Sequence, residues 1–264
     1  MEYELICAKT KQLVWETGNF IRNEVSRLTS DKIQSKGKND FVTYVDKTSE
    51  KKLVAGLQDI LPEAGFITEE HTINKKGEVY NWVIDPLDGT TNFIHGVPPY
   101  AISVALMEND QVVIGVVYEV NMDECFYAWK GSKAFLNGEE IHTSAKEKVA
   151  DSLIATGFPY YTFNRMKPYM ETLEDLMKNS HGVRRMGSAA TDLAYVACGR
   201  YDAFYEYGLH PWDVAAGVLI VQQAGGMLGD FKGGHDYIFG KEMIAANSLV
   251  FSEFRQIVGS YFSK

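Results

Sequence analysis

Trp82-Val83-Ile84-Asp85-Pro86-Leu87-Asp88-Gly89-Thr90-Thr91-Asn92-Phe93 starts as a strand and ends as a chemical site. The largely apolar run from Val79 to Ile84 reads as a buried strand. Pro86 has no N–H for a ladder and a fixed φ, so it is expected to end that strand. Asp85 and Asp88 fall at its end, three positions apart. Paired carboxylates of this kind are hard oxygen ligands suited to Mg²⁺, which takes one or two protein carboxylates together with substrate phosphate. Gly89, Thr90 and Thr91 follow with a permissive backbone, amide donors and two hydroxyls. Amides at the start of a helix suit a phosphate. Metal ligands and a phosphate cradle within a few residues point to chemistry on a phosphate ester.

The rest of the composition narrows the class. The chain has 264 residues, 45% hydrophobic and 23% charged, the balance of an ordinary globular protein. That length allows one large domain or two smaller ones. The formal net charge of −9 argues against a broad nucleic-acid footprint, which needs a basic surface. An acidic protein that acts on anions must concentrate positive charge locally, and a bound metal does so. Cys7, Cys125 and Cys198 are too few and too scattered for a disulfide framework or a zinc site, which fits a reducing cytoplasm. The opening Met1-Glu2-Tyr3-Glu4 has neither a basic n-region nor an apolar h-region, so no secretory signal is expected. No apolar run is long enough to predict a membrane span.

Apolar positions at helical spacing predict a long amphipathic helix over 3–28 and a second over 46–60. The polar stretch from Ser30 to Asp40 reads as a loop. A short strand over 65–68 leads into Glu69 and Glu70. After the opening motif come strand-like runs at 100–107, 111–118, 125–129 and 134–136, with turns at Glu108-Asn109-Asp110 and Asn137-Gly138. The second half alternates: strands at 152–156, 182–186, 203–207 and 243–246, helices at 163–178, 188–198, 211–224 and 249–262. Ser188 and Pro211 fit helix starts, and Gly225-Gly226 fits a helix stop. These patterns divide the chain into an α+β subdomain over 1–147 and an α/β subdomain over 148–264, with a site expected at their junction.

Two further acidic positions matter. Glu69 and Glu70 end a buried strand. Asp213 follows Trp212 at a helix start, in His210-Pro211-Trp212-Asp213-Val214-Ala215-Ala216-Gly217. Taken alone, each has a plain explanation: a first-turn Asp complements the helix macrodipole, a Glu pair at a strand end is solvated, and Asp-x-x-Asp can be a turn. Their shared position at element ends, beside a phosphate-cradle sequence, shifts the reading toward a site.

With those residues in view, the chain resembles the inositol monophosphatase family of Mg²⁺-dependent, typically lithium-sensitive phosphatases, from the first helix to about Asn247. The resemblance rests on Asp85-Pro86-Leu87-Asp88-Gly89-Thr90-Thr91-Asn92-Phe93 and on Trp212-Asp213-x-Ala215-Ala216-Gly217 with Ala224-Gly225-Gly226. Weaker support comes from Phe41-Val42-Thr43-x-x-Asp46, Gly157-Phe158-Pro159-Tyr160 and Gly187-Ser188-Ala189-Ala190. Thr68 and Gln223 depart from the pattern, where many members have Gly and Glu; Gln223 reads as an exposed helix position.

The resemblance implies an α/β (α+β) fold, a layered α/β/α/β/α sandwich of the inositol monophosphatase and fructose-1,6-bisphosphatase type, assembled as a homodimer. It implies two or three Mg²⁺ ions per subunit, held by Glu69, Asp85, Asp88, Asp213 and the carbonyl of Leu87, with Lys36 approaching a third. Gly89 and Thr90 match phosphate-binding amides. Thr90 and Asp46 match the pair that orients and deprotonates the attacking water, with Glu69 a further catalytic group. Ser188, Ala189 and Glu206 match contacts to the alcohol. The implied reaction is hydrolysis of a small monoester, inositol monophosphate, in the cytoplasm, with neither nucleic acid nor membrane as partner.

Several alternatives stay open. Asn92 and Phe93 are similar to the inositol branch, and Glu206 suits a polyol. Pro159-Tyr160-Tyr161 with Phe163 could stack a nucleobase, which keeps NADP(H) 2′-phosphatase activity in view; fructose-1,6-bisphosphatase is a further activity. A non-catalytic regulatory protein on the same fold is the contrasting class. His95 and His210 read as proton donors or as packing residues, Arg184-Arg185 as a second-phosphate contact or a solvated pair, and Trp82 and Trp212 as walls of the site.

Overall fold

The computed structural model describes residues 2–28, 33–37, 40–159 and 163–262. Helices α1 (Tyr3–Glu24) and α2 (Tyr44–Ile60) pack on one another and on a seven-stranded sheet. That sheet runs in sequence order: β3 (Gly65–Thr68), β4 (Tyr80–Asp88), β5 (Ala101–Glu108), β6 (Gln111–Glu119), β7 (Glu124–Trp129), β8 (Ala134–Leu136) and β9 (Glu139–Ile141). Only β3 and β4 pair in parallel; every later neighbour is antiparallel. β1 (Ile33–Gly37) and β2 (Asp40–Thr43) form a separate two-stranded ribbon.

A five-stranded sheet follows in the order β11 (Gly182–Arg184), β10 (Leu153–Thr156), β12 (Ala203–Tyr207), β14 (Glu242–Asn247), β13 (Gly226–Gly229). Between the two sheets lie α5 (Ala189–Ala197) and α6 (Pro211–Gln223), and outside the second sheet lie α4 (Met166–Asn179) and α7 (Phe251–Phe262). The result is the five-layered α/β/α/β/α sandwich that the family resemblance implies. A short helix, α3 (Thr90–His95), follows β4.

Burial explains the layering. Every residue of α6 from Val214 to Val221 is buried, as a helix covered on both sides requires. Burying each large aliphatic side chain there contributes on the order of 2 kcal/mol. α4 is one-sided: it buries Tyr169, Thr172 and Leu176 and exposes Met170 and Met177. Three apolar clusters fill the gaps, beneath α1 and α2, around α5 and α6 between the sheets, and beneath α4 and α7.

The structure corrects the reading of Pro86. β4 does not end there but continues to Asp88. Pairing with β3 stops at Ile84. Pairing with β5 runs through Asp85 opposite Ser103 and resumes at Asp88 opposite Ala101. Three steps on β4 therefore match two on β5, a one-residue bulge. Pro86 needs no ladder donor inside it.

Other boundaries move for similar local reasons. α1 stops at Glu24 and passes into a 3₁₀ turn at Val25–Arg27. Part of the expected Ser30–Asp40 loop is strand β1, and Asp40 opens β2. Gly225, with φ at 88°, ends α6 as expected, but Gly226 opens β13. Gln223 is half-buried at the last position of α6, not exposed.

Candidate active site

The bulge decides where the acids point. In a regular strand, positions three apart face opposite sides of the sheet. One extra residue between Asp85 and Asp88 reverses that parity. One carboxylate oxygen each from Asp85, Asp88 and Asp213 consequently lie within 4.8 Å of one another. Asp213 reaches them from the first turn of α6. Glu69 stands at the end of β3, where its N–H donates to the carbonyl of Ile84 at 3.2 Å.

Each aspartate is held by protein donors on one oxygen. Asp85 Oδ1 accepts the Leu87 N–H at 2.9 Å. Asp88 Oδ2 accepts both the Ser188 hydroxyl and the Ala190 N–H, each at 2.7 Å. Asp213 Oδ2 accepts the His210 N–H at 2.7 Å, in a capping box that starts α6. Ser103, opposite Asp85 across the ladder, donates to the Trp212 carbonyl at 2.9 Å and so ties β5 to the start of α6.

The electrostatics are those of crowded acids out of water. Burial, then the charges of Glu69, Asp88 and Asp213, hold the Asp85 carboxyl well above the usual carboxylate range. Burial, then Asp88, with Glu69 and Glu206 adding, does the same to Asp213. Burial pushes Asp88 up to about 6, although Ser188, Ala190 and Arg185 pull it down. Such repulsion is relieved by a hard divalent cation. The donor set fits one: carboxylate oxygens, plus the Leu87 carbonyl, whose oxygen lies 3.0 Å from Thr90 Oγ1 as an alternative acceptor for that hydroxyl and has two lone pairs.

Asp46 lies behind this wall. It is fully buried and absent from the cleft lining, and the Thr90 hydroxyl reaches it at 2.9 Å. Its other oxygen accepts the Thr43 N–H and hydroxyl at 2.8 and 2.6 Å. Burial raises its pKa, against the hydrogen bonds from Thr43 and Thr90 that lower it.

All the remaining candidates line a single cleft of about 620 Å³: Glu69, Asp85, Leu87, Asp88, Gly89, Thr90, Ser188, Ala189, Glu206 and Asp213. Gly89 takes φ of 91°, a conformation that favours glycine, where β4 turns into α3. Ser188 caps α5, and its hydroxyl points at Asp88. Glu206, on β12, is nearly buried, and its carboxyl is raised well above the usual range by burial, then by Asp192 and Asp88. Gly157 shows why the Gly157-Phe158-Pro159 segment belongs here. A Cβ at that position would sit 2.0 Å from the Glu206 carboxylate.

The structure also places residues that the sequence left open. Arg185 is on the cleft and Arg184 is exposed. His210 lines the cleft, stacked flat on Trp212 with centroids 4.7 Å apart; His95 is exposed and off the cleft. Trp212 walls the site as expected, whereas Trp82 is sealed in the core beneath α1 and α2. His71 was not anticipated. It adopts φ of 51° and meets Trp212 edge-on at 6.1 Å. Buried Asp192, on α5, was missed because its neighbours read as plain helix. Tyr160 and Tyr161, and the Lys36 side chain, lie outside the described residues. Among the described residues, no helix is long and apolar enough to cross a membrane.

Comparison with known proteins is consistent with this geometry. A family model described as the inositol monophosphatase family matches residues 3–258. The chain is 36% identical to an inositol-1-monophosphatase of Mesorhizobium japonicum over 90% of both chains. It is 40% identical to the Nus factor SuhB of Escherichia coli, over 89% of this chain and 88% of that one. Among solved structures, the IMPase of Thermotoga maritima superposes with a TM-score of 0.87 at 34% identity, covering 96% of each chain. The extragenic suppressor protein suhB of Bartonella henselae gives 0.87 at 38% identity, covering 94% of this chain and 95% of that one.

Proposed function

We propose, for a chain that belongs to the inositol monophosphatase family, that it hydrolyses a small phosphate monoester of the inositol monophosphate kind, with Mg²⁺ as its cofactor. The observation that carries this reading is the meeting of Asp85, Asp88 and Asp213 within 4.8 Å, beside a threonine backed by a buried aspartate. Glu69, Asp85, Asp88, Asp213 and the Leu87 carbonyl would hold the metal. Bound there, it supplies positive charge to the phosphate oxygens and makes a neighbouring water more acidic.

The chain's own groups do the rest. The N–H groups of Gly89 and Thr90, at the start of α3, receive phosphate oxygens. The Thr90 hydroxyl donates inward to Asp46, which leaves its lone pairs to hold a water on the cleft side. As that water attacks phosphorus and the bond from phosphorus to the ester oxygen breaks, the water's proton passes to Thr90 Oγ1 and the Thr90 proton passes to Asp46 Oδ1; the departing alkoxide takes a proton from solvent in the open cleft and leaves as the alcohol. A buried carboxyl with a raised pKa is suited to receive it. No covalent intermediate is required. Monoester hydrolysis is among the slowest uncatalysed reactions, so stabilisation on the order of 20 kcal/mol or more must come from charge and position. On the alcohol side, Glu206 and the Ser188-Ala189 backbone present acceptors and donors to a polyol.

Phosphate release from inositol monophosphates, NADP⁺, fructose 1,6-bisphosphate and adenosine 3′,5′-bisphosphate, with Mg²⁺ and after its removal, tests the reading. Inositol monophosphate should lead the panel. Preference for NADP⁺ or the bisphosphates would replace the substrate and keep the reaction. No release from any monoester would overturn the reaction and favour a regulatory protein, in line with the name of the Escherichia coli relative. A homodimer is part of the same proposal, checked by light scattering.

A further inference from the structure

Glu50 is fully buried on α2, one turn beyond Asp46, and so on the same helix face. A buried glutamate is costly unless its oxygens are satisfied. Both are, by backbone far away in sequence. Glu50 Oε2 accepts the Glu70 N–H and Oε1 accepts the Thr72 N–H, each at 2.8 Å. These two amides flank His71, whose φ of 51° turns the chain along the cleft wall. The Glu69 N–H bonds to the Ile84 carbonyl, and the β3–β4 register ends at Thr68 and Ile84. Beyond that point Glu50 continues the restraint on the backbone. Glu69 is therefore fixed on one side by the sheet and on the other by Glu50.

We infer that Glu50 is a positioning residue for the metal site: its carboxylate clamps the Glu70–Thr72 backbone and thereby sets where Glu69 presents its carboxylate beside Asp85. This rests on the metal-dependent reading above and extends it to a residue that does not line the cleft. α2 then serves the site twice. Asp46 backs Thr90, and one turn later Glu50 holds the strand end that carries Glu69.

Glu50→Gln is the discriminating change. It keeps the size but offers one acceptor oxygen where two are used, and turns an NH₂ toward a backbone N–H. Loss of an outer hydrogen-bond partner of a metal ligand costs about 10- to 100-fold in metal affinity. The expected result is a rise of about tenfold in the Mn²⁺ dissociation constant, measured by electron paramagnetic resonance, and a parallel rise in the half-saturating Mg²⁺ concentration for phosphate release. The rate at saturating Mg²⁺ should change far less.

Glu119→Gln is the matched control. Glu119 is also fully buried, and its oxygens accept the Asn121 and Met122 N–H groups, at a turn that does not line the cleft. It should lower the melting temperature and leave Mn²⁺ affinity unchanged. Wild-type Mn²⁺ affinity in Glu50→Gln, whatever its melting temperature, would overturn the inference. Equal weakening in Glu119→Gln would overturn it too, since a general loss of stability would then explain both. Wild-type protein that binds no Mn²⁺ and releases no phosphate would instead bring down the metal site itself, and the role of Glu50 with it.

Discussion

The starts of α2 and α6 are built alike and used differently. Each opens on a capping box with an aspartate at the third helical position, Asp46 or Asp213. Each aspartate accepts the N–H of its cap residue, Thr43 at 2.8 Å or His210 at 2.7 Å. What faces the rest of the carboxylate differs. Asp46 meets the Thr90 hydroxyl, and burial alone raises its pKa against hydrogen bonds that lower it. Asp213 meets other acids, and their charge adds to burial. A carboxylate has two oxygens, so helix capping and site chemistry are not rival explanations for one residue. Under the proposed mechanism, the same local device would serve as a proton acceptor or a metal ligand according to what the fold sets opposite it.

Removing the acid common to the whole cluster should have the largest effect. Asp85→Asn is expected to lower phosphate release by about a thousandfold or more, since the charge that holds the metal is then incomplete; near-wild-type turnover in Mg²⁺ would refute the assignment. The two capping aspartates should next separate in sign. Without metal, Asp213→Asn removes one of several repelling charges and keeps an oxygen for His210. Its melting temperature should rise. Asp46→Asn loses acceptor capacity toward Thr43 and Thr90, and should lose about 1–2 kcal/mol of stability. Thermal melts in chelator read both, and shifts of equal sign would break the comparison. Both variants should release phosphate poorly.

pH sharpens the same contrast. The folded Asp88 carboxyl is raised to about 6 from an ordinary value of 3.8, so the folded state holds its proton more tightly than the unfolded chain. Its stabilising contribution is present below about pH 4 and is lost as pH rises through about 6. Metal binds the deprotonated form. Stabilisation by Mg²⁺ should therefore be larger at pH 7 than at pH 5, and a pH-independent Mg²⁺ effect on melting would contradict the shift. A smaller effect is expected from Ser188→Ala, which leaves Asp88 the Ala190 N–H: a several-fold rise in half-saturating Mg²⁺. Ser103→Ala, which loses one bond to the Trp212 carbonyl, should cost about 1 kcal/mol in stability and little in turnover.

The acids were legible in the sequence because each lies at the end of a recognisable element; the layers came with the family resemblance, and the structure shows their physical reason in α6, apolar on every side, and α4, apolar on one. Contacts made across long sequence separations were not. Glu50 reads as an ordinary polar helix position, and only the folded chain brings Glu70 and Thr72 to it. Ser188 reads as a helix cap, which it is, but its bond to Asp88 spans 100 positions. Asn92 reads as a marker of substrate branch; its side-chain amide donates to the Pro99 and Met186 carbonyls, each at 2.8 Å, and so joins the segment that follows Asp85 and Asp88 to the one that carries Ser188. β9 and β13 were missed because three- and four-residue strands with glycine or acidic residues have little pattern of their own.

The extra residue between Asp85 and Asp88 makes this segment sensitive to register in a way the surrounding sheet is not. If β4 at its full length paired on past Asp85 without the gap, Asp88 would stand three steps along a regular strand, facing away from Asp85 and Asp213. Such a slip would leave the core intact and scatter the acids. Pro86 guards against it, because a residue with no N–H gives the neighbouring strand nothing to pull into register. Pro86→Val, which restores that donor, should therefore lower phosphate release more than it lowers the melting temperature.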